Sequence, residues 1–455
     1  MGVKFALAHP VGAVPMPDLR RYEWTIEVSA AFLGATVAGL LLMAPLDFAW
    51  TSSGPSLQVD LLVMNVPRAA AAGAVLAVVT AALAVSLGVR AAWVAALGSA
   101  TILLVDHLRD PAAAAALTTV NYVDSLFGGI LLGALAVAAL RRPATGYAFL
   151  TGILSAVLIG DLTALPSGTA SSLAEWAATD TPPVWLIALA VLALAAGTLL
   201  NRLESPLGKP DYGELPLGPI VAALLLLTSH VVAAEWIARQ ADSFADKMLA
   251  VAVTMIVTGA AVLLLPARDG VLVLLAVAAA NVGSAITAVP RPDWSMPIPL
   301  LGVAAGLWAG RRWPRPWAGL LAAAALAVFA ALTAGRTATP AAAIPILGIT
   351  ALALIVGYCF GAVTPSAAPS TVLAVAVLVV PCLVLALRGN SFGRVAYSPR
   401  WFRDPADIAS PAAGWTALAI VGCCAVGMSA VYALRPERRV VEVAVRKPPS
   451  LRDRL

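Results

Sequence analysis

The chain has 455 residues, of which 61% are hydrophobic and only 12% charged, with a formal net charge of +5 and a mean hydropathy of +0.91. A soluble domain carries about twice that charged fraction. Composition therefore excludes a water-soluble enzyme or a nucleic-acid-binding module and points to a protein that lives in a bilayer.

Residues 1–24 hold Pro10, Pro15, Pro17 and the pair Arg20-Arg21, with no short apolar core before a small-residue cleavage site. They read as a cytoplasmic tail rather than a signal peptide. A helical crossing needs roughly 20 apolar residues, because the hydrocarbon core is about 30 Å thick and a helix rises about 1.5 Å per residue. Such stretches are predicted at 25–50, 68–87, 91–107, 123–140, 144–165, 183–200, 217–237, 247–266, 270–288, 296–310, 315–334, 341–363, 370–388 and 414–434. Arg141-Arg142-Pro143 separates the fourth and fifth, and Arg311-Arg312-Trp313-Pro314-Arg315-Pro316 the tenth and eleventh. The fold class expected is an all-α polytopic transmembrane bundle of about fourteen spans. Fourteen crossings put both termini on one side, and Lys plus Arg divide 19 to that side and 10 to the other. The positive-inside bias makes it the cytoplasmic side. The basic tail, 435–455, is then expected to meet anionic lipid headgroups. Cys359, Cys382, Cys423 and Cys424 all fall within spans and read as packing residues. The excess of Arg over Lys suggests a bacterial cell membrane.

Self-comparison suggests a duplication. Leu33-Gly34 and Val37-Ala38 with Leu40-Leu41-Leu42 align with Leu217-Gly218, Val221-Ala222 and Leu224-Leu225-Leu226, and Gly98-Ser99-Ala100 aligns with Gly283-Ser284-Ala285. The predicted organisation is a tail (1–24), a first six-helix half (25–200), a second (217–363), an additional helix pair (370–434) and the basic tail (435–455). Six plus six plus two helices resembles the layout of the major facilitator superfamily, and that of the flippase and multidrug-exporter group. The resemblance implies alternating access around a central cavity lined by spans one, four, seven and ten. It is one of layout: the loop between spans two and three reads Ser86-Leu87-Gly88-Val89-Arg90-Ala91-Ala92, without the acidic and doubled basic residues of the facilitator signature.

Ionisable groups within apolar helices are costly, so each is a functional candidate. His230, inside span seven, suits proton coupling because imidazole titrates near neutral pH. Asp47, Asp124 and Glu235 lie near the ends of spans one, four and seven, and the layout would gather them with His230 around one outward mouth. Asp161 near the end of span five is a further substrate or proton-coupling candidate. Asn281 and Ser284 read as interhelical hydrogen-bonding residues, and Gly128, Gly129 and Gly133 as a face for close helix packing. No metal-ligand spacing, nucleotide-binding loop or cofactor motif occurs, so neither metal nor cofactor is expected. The leading expectation is a secondary transporter, exporter or lipid flippase whose partners are membrane lipids and a small polar or lipid-linked substrate. The alternatives are a polyprenyl-phosphate-sugar glycosyltransferase using Asp47 or Asp60, and a non-catalytic subunit bound to envelope proteins.

Overall fold

The computed structural model describes residues 19–43, 56–108, 117–161, 182–204, 215–240, 243–286, 297–334, 343–387 and 411–435. Among those residues the regular structure is all helical, without strands: α1 Leu19–Met43, α2 Ser56–Leu87, α3 Val89–His107, α4 Leu117–Ala139, α5 Pro143–Asp161, α6 Val184–Glu204, α7 Leu217–Gln240, α8 Phe244–Leu264, α9 Gly270–Ile286, α10 Pro297–Arg312, α11 Pro316–Thr333, α12 Ala343–Ala362, α13 Ala368–Val379, α14 Leu383–Ala386 and α15 Pro411–Leu434. Eleven segments are long and apolar enough to cross a membrane, and Gly270–Ile286 and Ile346–Ala362 are apolar but shorter. A polytopic helical membrane protein is thereby established. Fourteen apolar segments were expected, and each coincides with one helix here, α13 and α14 together forming the thirteenth.

The bundle has two units, defined by which helices touch. In the first, α1 packs on α4, α5 and α6, α2 on α4, and α3 on α4 and α6. The same neighbours recur when α9 takes the place of α1: α9 packs on α12, α13 and α15, α10 on α12, and α11 on α12 and α15. Two seams join the units, and they are reciprocal: α2 meets α13, and α5 meets α10. This neighbour pattern sets 19–204 beside 270–434, whereas the sequence reading placed the second half at 217–363 and an extra helix pair at 370–434. The added helices are α7 and α8, between the units in sequence, with α7 laid against α2, α13 and α14.

Glycine explains the tightest contacts. Between membrane helices small residues let backbones approach, because lipid supplies no hydrophobic drive for association. A Cβ on Gly129 would lie 2.8 Å from the carbonyl carbon of Gly73, and one on Gly133 2.9 Å from that of Ala77, so α2 and α4 touch backbone to backbone. The equivalent pair, α10 and α12, does the same at Gly306, Gly310, Gly357 and Gly361. The close-packing face expected from Gly128, Gly129 and Gly133 is realised, with Gly128 turned to Leu41 of α1.

One face of the bundle gathers the start of α1 and the links at 88, 140–142, 265–269, 313–315 and 363–367, and each unit is stapled there by an acid. Glu27, at the start of α1, accepts from Arg142 Nη1 at 2.6 Å and Asn201 Nδ2 at 3.2 Å. Asp269, just before α9, accepts from the backbone N–H of Ser366 at 2.8 Å and of Ala367 at 3.2 Å, and from Ser366 Oγ at 2.9 Å. In both units the acid at the first helix holds the link between the fourth and fifth. Asp269 also meets the free N–H groups at the start of α13, where the helix dipole favours negative charge. At the end of α15, Arg435 donates to the carbonyls of Leu263 (2.7 Å) and Ala267 (2.5 Å), and to that of Leu265.

Candidate functional site: a cavity between two helical units

Two cavities lie between the units. The larger, about 370 Å³, sits at the stapled face and is lined by residues of α2, α3, α4, α5, α9, α10, α12, α13 and the 363–367 link. Its basic side chains are Arg141 and Arg311, its hydroxyl groups Thr364, Ser366 and Thr371, and most of the remaining wall is apolar. Arg311 is held in place: Nη1 donates to the Pro143 carbonyl at 3.1 Å, and the guanidinium lies 5.6 Å from the centre of the Tyr147 ring. A fixed guanidinium presents its remaining N–H groups in a rigid fork suited to carboxylate or phosphate.

The smaller cavity, about 60 Å³, lies deeper between the units, lined by α1, α2, α5, α9, α12, α13 and α14. Its polar centre is a helix break. Pro381 has no N–H to continue α13, and the chain restarts at Leu383 as α14. Asn281 caps the restart, its Oδ1 accepting from Val384 N at 3.4 Å, while its Nδ2 donates to the Val277 carbonyl at 2.9 Å. Cys382 Sγ donates to Ser284 Oγ at 3.2 Å. A broken helix beside a cavity is where irregular backbone is tolerated at membrane depth. Asn281 and Ser284 thus bond to the segment that follows the break, and Ser284 also lines the cavity.

The acidic and histidine candidates do not converge. His230 is buried on α7; Nδ1–H donates to the Leu226 carbonyl at 2.8 Å and Nε2 has no hydrogen-bond partner among the described residues. It lines neither cavity, because α7 belongs to the inserted pair and is not the counterpart of α1. Glu235 forms a two-pronged ion pair with Arg68 of α2, at 3.0 and 3.1 Å, which ties α7 to the first unit. Asp124 is buried between α3 and α4, beside His107 and Asp106. The expected shared mouth of His230, Asp124 and Glu235 is therefore replaced by three separate environments. Asp47 and the side chains of Asp60 and Asp161 lie outside the described residues. Sequence reasoning missed the cavity arginines, since Arg141 and Arg311 each sit in a doubled pair at a helix end and were read as topology signals. It also missed the break, although Pro381 inside an apolar run was a legible sign.

No protein-family model matches the chain, and no curated protein matches its sequence. Among solved structures it is similar to the crystal structure of the human organic anion transporter MFSD10 (TETRAN), with a TM-score of 0.42 and 15% identity over 91% of this chain and 100% of that one. Function is accordingly argued from this chain's own geometry.

Proposed function

We propose that the protein is a secondary transporter that works by alternating access, carrying an amphipathic substrate with an anionic group, with the stapled face cytoplasmic. The observation that carries this reading is the recurrence of one neighbour pattern in 19–204 and 270–434, joined by reciprocal seams around a cavity. Two like units related about an axis through their interface can rock, exposing a central site to one side and then the other. A larger cavity at the stapled face and a smaller one of about 60 Å³ deeper in, at the α13 break, support a carrier with more space between its units on one side. Arg141 and Arg311 would hold the anionic group, the apolar wall the rest of the substrate.

Spin labels at Val85 and Val363, on opposite units and both lining the large cavity, test the motion. In reconstituted protein two distance populations are expected, with their ratio moved by a bound organic anion. A single distance under every condition overturns alternating access. In the same vesicles, Arg311→Gln is expected to slow organic-anion uptake by an order of magnitude or more, at about 1.5–3 kcal/mol for a charged hydrogen bond. Unchanged uptake removes the anionic substrate while leaving the rocking units standing.

A further inference from the structure

Asp124 lies in α4 with its side chain only 4% exposed, and its Oδ1 has no hydrogen-bond partner among the described residues. That atom faces the ring of His107, with Nδ1 3.8 Å away. Asp106, beside His107 on α3, completes a set of three ligand atoms all within 4.8 Å of one another. We infer that Asp106, His107 and Asp124 bind a divalent transition-metal ion of the zinc class, which pins the end of α3 to α4. This inference is independent of the transport reading, because none of the three lines either cavity.

Charge is the first reason. Two carboxylates near one another in a water-poor site repel, and burying either unpaired is costly. One divalent cation brings the sum of two carboxylates and a neutral imidazole to zero. Ligand chemistry is the second. A nitrogen with two carboxylate oxygens suits zinc, whose tetrahedral bonds of about 2.0–2.2 Å set ligands roughly 3.4 Å apart. Side-chain rotations that draw the widest pair in by up to about 1.4 Å reach that spacing, and the fourth position stays open to water. Calcium and magnesium prefer shells built from oxygen alone. The His107 atom that faces Asp124 is Nδ1, so ligation there takes the tautomer protonated at Nε2 and exchanges the 3.0 Å contact of Nδ1 with the Leu103 carbonyl for the metal. Below the site Ser99 Oγ donates to the Phe127 carbonyl at 2.5 Å, so α3 and α4 are already held together about two turns away along α3 and one along α4.

The test uses the purified full-length protein in detergent, stripped with a chelator and titrated with Co²⁺ and then Zn²⁺. The chain has three histidines, so spectral changes in each His variant assign the ligand. One equivalent of Co²⁺ per chain with a tetrahedral visible spectrum is expected, displaced by Zn²⁺ and accompanied by a higher melting temperature. Loss of an outer-shell partner costs about 10–100-fold in affinity, so removing a ligand by His107→Gln or Asp124→Asn is expected to cost at least about 100-fold. His107→Gln, at the less buried position, preserves the test when Asp124→Asn fails to fold. Absence of stoichiometric binding in the wild type overturns the site, and so does binding that survives both variants.

Discussion

A Cβ on Gly129 tests the backbone contact that defines each unit. It would stand 2.8 Å from the carbonyl carbon of Gly73 and 3.1 Å from its Cα, where ordinary contacts begin near 3.4 Å. The obstruction, nearest at the Gly73 carbonyl oxygen, is backbone within a long helix, so no rotamer change relieves it; α2 and α4 must separate by about 1 Å or more along their seam. Overpacking of this kind costs about 1–3 kcal/mol, against a gain of up to about 1 kcal/mol for replacing a helical glycine by alanine. Gly98, in α3, supplies the control, because a Cβ there meets nothing within 4 Å. Gly98→Ala is expected to hold or raise the melting temperature. Gly129→Ala is expected to lower it by about 2–6 °C, given that roughly 1–2 kcal/mol of destabilisation moves a large domain by a few degrees. Thermal denaturation in detergent, followed by fluorescence-detected size exclusion, reads both. Equal melting of the two variants would show that α2 and α4 do not meet backbone to backbone.

Asp269→Ala strips the cap from Ser366 and Ala367 and should destabilise by about 1–2 kcal/mol, the range for losing a helix cap; Asp269→Asn should recover part of that, and equal melting of Ala and Asn variants would argue against the cap. Glu235→Arg should loosen α7 from α2, and combining it with Arg68→Glu should restore thermal stability; failure of the double swap would mean the pair contributes nothing, as many exposed pairs do. Ala267 has a φ of +44°, a left-handed conformation that costs an L-residue about 1–2 kcal/mol. Ala267→Gly is therefore expected to raise the melting temperature, and a fall would mean the Arg435 contacts compensate fully.

Sequence alone determined the class and where the helices lie. Span length and apolarity are local quantities set by bilayer thickness, so each predicted stretch reappears as a helix, even α9 and α10, which are 17 and 16 residues long. The close-packing glycines of α4 were legible for the same reason, since Gly129 and Gly133, four residues apart, share one helix face. The unit boundary was not. The identities that aligned span one with span seven reflect Leu, Ala and Val in any apolar helix, whereas duplication is a matter of which helices touch, and backbone approach at Gly129 or Gly306 decides that. Only the tertiary structure made α9 the counterpart of α1. That reassignment put His230 on an inserted helix away from the cavities, and packing brought Arg141 and Arg311 to one wall and set Asp124 against His107. Hydropathy tells a side chain how deep it lies in lipid, and only packing tells it what it faces.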